Sequence, residues 1–318
     1  MGIGAVVRKA VRASVSATCA YYVVDDWRVR QQLRRGDIAT TSGARHYKSP
    51  LADSLAYIER VHEDYLAYAG RDAFAGTVAE VGPGDNFGVA LLLLAGGAHE
   101  VHAIDRYRSR RDAAHQTAIY QALAARHDLG HLFADGYKEQ ALSSLSYHTG
   151  RPAERFFREH DGCYDAILSR AVMEHLYDPL GALDDMAAAL APRGVLVHRI
   201  DMRDHGMFAG RHPLTFLTLS DRLHRAMTCA SGRPNRVLLP QWRAWLGRSG
   251  LEGSLRITRL VGVAKEIAPV AWGEIDPALR EAALASVAEI RPKLTPAIAA
   301  LANEDLAVAG CVLVAAKA

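Results

Sequence analysis

Three groups of residues in this 318-residue chain have types and spacings suited to chemistry. The first is the run Val78-Ala79-Glu80-Val81-Gly82-Pro83-Gly84-Asp85-Asn86-Phe87-Gly88, where an apolar segment passes through close-set glycines into a second apolar segment. Glycine lets a backbone turn tightly and approach a ligand with no Cβ in the way. The first amides of a following helix then attract a negative group. The second is Asp105, which ends Val101-His102-Ala103-Ile104-Asp105, 21 residues beyond Gly84. An acid at the tip of the second strand of an open parallel sheet accepts hydrogen bonds from ribose hydroxyls. The third is a trio drawn from the 14 histidines, His175, His198 and His205. Imidazole titrates near neutrality and offers a lone pair to a proton or a metal.

Such residues work only if a sheet brings them together. Strands are expected at Thr77–Val81, Glu100–Asp105, His131–Asp135, Tyr164–Ser169 and Gly194–Asp201, with two more at Leu255–Val261 and Val308–Ala316. Helical stretches fall between them at 87–95, 108–126, 178–190 and 277–290. This alternation predicts an α/β fold, a parallel sheet with helices on both faces. Ahead of it, Leu51, Leu55, Ile58, Val61 and Tyr65 recur at three- and four-residue steps, between Pro50 at a helix start and Gly70 at its stop. Val7, Val11 and Val15 suggest another amphipathic helix, and the polar segment 31–48 reads as a loop. The expected organisation is a helical N-terminal cap or lid over 1–75 and a main domain over 76–318. An insertion at about 203–250 should contribute to a pocket.

The glycine turn separates two ligand classes. A dinucleotide fingerprint requires glycine at 87, where the chain has Phe. Glu80-x-Gly82-x-Gly84 instead resembles motif I of the class I S-adenosylmethionine-dependent methyltransferases, (D/E)-x-G-x-G-x-G, with Asn86 in place of the last glycine. Asn tolerates left-handed backbone better than most residues. Tyr164–Leu176, with its Glu174-His175-Leu176 ending, is similar to the fourth-strand segment of small-molecule members. The helix, the Pro192-Arg193-Gly194 turn and the strand that follow also match. The resemblance covers about residues 76–201. It implies a Rossmann-like, seven-stranded, mostly parallel sheet and S-adenosyl-L-methionine as cofactor. It further implies that Glu80 reaches the methionine amino group, that Gly82, Gly84 and Asn86 form the cofactor turn, and that Asp105 holds the ribose. Asp135 would bind the adenine amino group, with Ser169 and Arg170 lining the methionine side.

Catalytic candidates are His175, beside the expected methyl group, and His198 and His205 at the end of the fifth strand. His198, Asp201 and His205 also invite a divalent metal. A strand, however, cannot present them like an i, i+4 pair on a helix, so no resident metal is expected. The stretch from His205 to Arg225 resembles a segment of methyltransferases from polysaccharide and secondary-metabolite clusters. The implied reaction is O- or N-methylation of a saccharide or secondary metabolite during biosynthesis. Two alternatives are an NAD(P)-dependent oxidoreductase on a similar sheet and a non-catalytic protein that keeps the cofactor site.

Composition narrows the partners. Half of the residues are hydrophobic and 23% charged, which suits a folded domain and excludes a disordered or fibrous chain. A net charge of +3 gives no phosphate-reading surface, and no Asn-Pro-Pro-Tyr-type tetrapeptide follows the fourth strand, so nucleic acid is not an expected partner. Cysteines 19, 163, 229 and 311 form no CxxC pair and read as reduced thiols. Ser14, Ser16 and Thr18 interrupt any export signal, and no apolar run is long enough for a membrane span. A cytoplasmic, soluble protein is expected, with self-association left open.

Overall fold

The computed structural model describes residues 14–40, 43–133, 136–138, 142 and 144–318. Seven strands form one sheet: β1 (Gly76–Val81), β2 (Ala98–Asp105), β3 (Leu145–Thr149), β4 (Tyr164–Arg170), β5 (Leu190–Asp201), β6 (Glu252–Leu260) and β7 (Val308–Ala316). Their spatial order is β3-β2-β1-β4-β5-β7-β6. All pairs are parallel except those of β7, which runs antiparallel to β5 and β6. The order reverses between β1 and β4, and in open sheets of this kind ligands bind at the carboxyl ends beside that reversal.

The sequence explains these central strands. Val78, Ala79, Ala166, Ile167, Leu168, Leu196 and Val197 are all fully buried, as a parallel strand covered on both faces requires. Eight helices matter for the site: α1 (Val15–Arg34), α2 (Leu51–Ala69), α3 (Gly88–Ala95), α4 (Ala113–His127), α5 (Pro179–Ala189), α6 (Asp221–Thr228), α7 (Leu239–Arg248) and α8 (Pro277–Ile290). α3 is apolar all round because the sheet takes one side and α2 the other. Leu55, Ile58, Val61 and Tyr65 of α2 share a core with Phe87 and residues 89–94. Each such side chain contributes about 1.5–3 kcal/mol by leaving water. On the opposite face Leu183 and Met186 of α5, Trp242 and Trp245 of α7 and Val287 of α8 form the second core. The two tryptophans are therefore packing residues. Among the described residues no helix is long and apolar enough to cross a membrane.

Two expectations fail. The third strand is not at 131–135. Gly130–Leu132 is a 3-10 turn, and β3 lies further on at Leu145–Thr149, paired with β2. Every residue of β3 is half-buried, so its edge position mixes polar with apolar residues and hides the signal. Asp135 lies outside the described residues, as does most of the proposed Val7–Val15 helix. The second failure is the loop from 31 to 48. α1 runs to Arg34, and Ala39–Thr40 pairs in parallel with Arg108–Ser109. α1 escapes the apolar pattern because its deeply buried positions are Thr18, Cys19 and Asp26.

α1 is held by polar bonds. The Asp26 carboxylate accepts the backbone N–H groups of Ala230 and Ser231, both at 2.8 Å, and Asp25 pairs with Arg233. These tie α1 to the chain just after α6.

Candidate functional site

A cleft of about 490 Å³ opens at the carboxyl ends of β1, β2 and β4. That volume lies in the usual range for small-ligand sites, roughly 300–1,000 Å³. Its floor is the turn from Gly82 to Asp85, and one wall carries Asp105, Arg106 and Tyr107. The other wall is the turn after β4, from Arg170 to Leu176. Val29 and Leu33 of α1, the loop at 43–46, and Ser231–Gly232 close the top.

The glycines are required by geometry. Gly82 and Gly84 have φ of +77° and +72°. A Cβ on Gly82 would lie 2.3 Å from the Val172 side chain, and one on Gly84 would lie 2.7 Å from the carbonyl oxygen of Gly43. The Asp85 carboxylate accepts N–H groups from His46 at 3.2 Å and Tyr47 at 2.7 Å, and its own amide donates to the Gly43 carbonyl. The loop before α2 is thereby latched onto the turn.

Asn86 does not take the left-handed backbone that its motif position suggests, since the positive-φ non-glycine residues described are Asp128, Ala171, Arg193 and His205. It caps α3 instead. Its Oδ1 accepts the Gly88 N–H at 2.5 Å, and its amide donates to Gln116, which in turn holds the Asp85 carbonyl.

Two acids lie at this end. Asp105 lines the cleft, and burial pushes its carboxyl up to about 6, against the pull of the Tyr107 N–H and the Arg111 charge. Glu80 is 5% exposed, and one of its oxygens has no hydrogen-bond partner. Burial, reinforced by the Asp105 charge, pushes Glu80 up to about 8. Its carboxyl faces a side cavity of about 50 Å³ that it shares with Tyr57, Tyr65 and Arg170. Gly82 and Pro83 border both spaces. A space that size takes a water or an ammonium group. The orphaned Glu80 oxygen and the Cβ-free turn fit the amino-acid portion of S-adenosyl-L-methionine, and Asp105 fits its ribose.

The histidines separate. His175 and His205 both line the cleft. The His175 Nδ1 donates to the Gly232 carbonyl at 2.8 Å, which leaves the lone pair on Nε2. Burial and the neighbouring His205 hold its pKa down to about 4. The two rings meet edge to face, with centroids 4.8 Å apart. His198 is elsewhere. It is fully buried, shares a 2.8 Å hydrogen bond with Ser169, and is held down to about 3 by burial. Neither His198 nor Ser169 lines the cleft. Arg170 does, while pairing with Asp64 of α2.

Sequence reasoning passed over Glu174, which is 2% exposed and next to His175. The visible signal was an acid adjoining a histidine after a strand. The loop after α6, inside the insertion expected to reach the pocket, contributes Ser231 and Gly232 to its lining. Asn235 donates to the carbonyls of Met173 and Leu176 and so fixes the turn that carries His175. Of the insertion's basic residues, Arg236 is spent on the Phe216 and Leu219 carbonyls, and Arg222 and Arg225 face solvent.

A family profile described as Methyltransferase domain matches residues 53–253. A search of curated protein sequences returned no match. Among solved structures, the chain is similar to phosphoethanolamine N-methyltransferase 2 of Haemonchus contortus in complex with S-adenosyl-L-methionine. Identity is 16%, covering 80% of this chain and 52% of that one, at a TM-score of 0.41. This chain thus spans about half the length of that protein. It is also similar to 1,6-didemethyltoxoflavin-N1-methyltransferase of Burkholderia thailandensis, at 14% identity over 84% of this chain and 80% of that one, with a TM-score of 0.41.

Proposed function

The chain belongs to the methyltransferase-domain family, and we propose that it methylates an oxygen or nitrogen of a small molecule, a saccharide or secondary metabolite. The methyl donor is S-adenosyl-L-methionine. One observation carries the reading: a single cleft has an acid and a Cβ-free turn suited to the donor at one end, and paired imidazoles suited to an acceptor at the other. The nicotinamide alternative finds no support in the family match, and Phe87 stands where its fingerprint needs glycine.

When bound, the donor supplies a methyl group already activated on a sulfonium sulfur. The remaining work falls to the chain, which must position the acceptor and exclude water. Glu80, Gly82, Gly84 and Asp105 hold the donor, and Asn86 supports the turn from beneath; the adenine role expected of Asp135 loses its basis, because the third strand lies at Leu145–Thr149. Arg170 borders the methionine side. His175 and His205 face the acceptor, their imidazoles uncharged because burial disfavours the cation. Ser169 and His198 act only by holding β4 to β5.

Of the 1–75 region, α1 and the loop at 43–46 cover the cleft while α2 packs into the main core, and 203–250 is the acceptor-side insertion, tied to α1 by the bonds from Asp26 to Ala230 and Ser231. A cytoplasmic location belongs to the same reading.

The test is ligand-dependent thermal unfolding. S-adenosylhomocysteine should raise the melting temperature and NAD should leave it unchanged; the reverse pattern would sink the proposal. Mass spectrometry of candidate acceptors incubated with enzyme and donor would then identify the product.

A further inference from the structure

Glu174, His175 and His205 meet at the acceptor end in a way that holding a methyl donor does not demand. Neither oxygen of the buried Glu174 carboxylate has a hydrogen-bond partner. A buried carboxyl group without hydrogen-bond partners is costly, and a cation bound beside it would offset that cost.

The two imidazoles are placed to join it. The hydrogen bond from His175 Nδ1 to the Gly232 carbonyl fixes the ring and aims Nε2 away from the loop, an arrangement common for metal-bound histidine. His205 Nε2 lies 3.5 Å from Glu174 Oε1. One donor atom from each of the three residues falls within 4.8 Å of the others. Ligand atoms about 2.0–2.2 Å from a common ion stand roughly 3–3.6 Å apart, so a modest closure completes the set. Asp201 lies 3.6 Å from His205 Nε2 but both of its oxygens are engaged by Arg203, which leaves it outside the ligand set. His205 itself is held in a left-handed backbone with φ of +49°.

We propose that Glu174, His175 and His205 bind one divalent transition-metal ion of the zinc or iron(II) class, whose open positions take the oxygens of a hydroxyl-bearing acceptor. Two imidazoles and one carboxylate suit that class better than the all-oxygen preference of magnesium or calcium. The proposal rests on the methyl-transfer reading for what the open positions do. A hydroxyl on the ion is acidified. Its O–H bond breaks with the proton passing to bulk water, the oxygen forms the new O–CH3 bond, and the donor sulfur keeps the electron pair of the broken S–CH3 bond.

The test uses the full chain stripped by chelator and titrated with Co²⁺ or Zn²⁺, with S-adenosylhomocysteine binding measured on the same samples. One ion per chain should bind, with Co²⁺ visible bands. Glu174→Gln and His205→Asn should each weaken it at least about tenfold. Asn is chosen at 205 because it tolerates the left-handed backbone. His148→Ala, in the separate histidine group beside His102, should bind the ion as the parent does. No stoichiometric binding by the parent, or binding unaffected by the Glu174 and His205 substitutions, overturns the ion site. Loss of S-adenosylhomocysteine binding by the parent counts against the methyl-transfer reading instead, so the two failures are distinct.

Discussion

The two ends of the cleft are made differently. The proposed donor end comes from one strand-turn-helix unit and the next strand tip, residues 80–105, and joins a glycine backbone turn to the carboxyl groups of Glu80 and Asp105. The acceptor end is gathered from three distant places: the turn after β4, the end of β5 at His205, and the loop after α6 whose Gly232 carbonyl orients His175. Local backbone geometry imposes residue types that a sequence displays. Side chains meeting across a fold impose none at any one place.

This contrast breaks if damage at one end is felt equally at the other. The largest effect is expected at Asp105. Asp105→Ala removes a charged hydrogen-bond partner and should weaken S-adenosylhomocysteine binding by about 10- to 100-fold, since such bonds contribute about 1.5–3 kcal/mol. Binding of a metal ion at Glu174, His175 and His205 should stay as in the parent. The same weakening should appear in the parent protein as pH falls below about 6, where the Asp105 carboxyl protonates. Calorimetry across pH 5–8 would check both. Unchanged affinity in the variant would remove the ribose role.

A middle-sized effect is expected at Glu80. Its folded pKa of about 8 lies above the ordinary 4.5, so the folded chain keeps a proton that the unfolded chain releases. The resulting stability is full below about 4.5 and is lost as pH rises through about 8. Ligand-free Glu80→Gln should therefore melt a few degrees higher than the parent near pH 8, with a flatter pH profile. It should also bind the cofactor less well. An unaltered melting profile would contradict the burial cost assigned to this acid.

The smallest functional effect should come from His198→Gln. With no wall of the cleft to disturb, turnover should remain within about threefold of the parent, while stability drops by about 1–3 kcal/mol from the disturbed bond to Ser169. Steady-state kinetics beside a denaturant titration separates the two. A large fall in turnover alone would make His198 part of the chemistry.

The same contrast explains what could be read from the chain in advance. β1, β4, β5 and β7 were legible because strands buried on both faces are apolar runs that end in turn signals, and the partly exposed β2 and β6 were placed as well. Gly82, Gly84 and Asp105 were legible as residues lining the cleft, because a tight turn and a strand tip dictate residue type. β3 was not, since an edge strand tolerates Ser146, His148 and Thr149 among its apolar residues. α1 was not, because Asp25 and Asp26 anchor it through charges that look like an exposed face. On β5, His198 and Ile200 fall two residues apart on one face, and both are buried. What alternation along one strand omits is where the cleft lies, and that depends on neighbouring loops. Glu174 was hidden for the same reason: its burial is set by the residues brought around it.

The contact between Gly84 and the Gly43 carbonyl has an evolutionary consequence. The position of a Cβ on residue 84 is taken by the backbone at 43, so these distant sites are sterically coupled. A lineage that gains a side chain at 84 must also remodel the loop at 43, and the two positions should therefore change together or not at all.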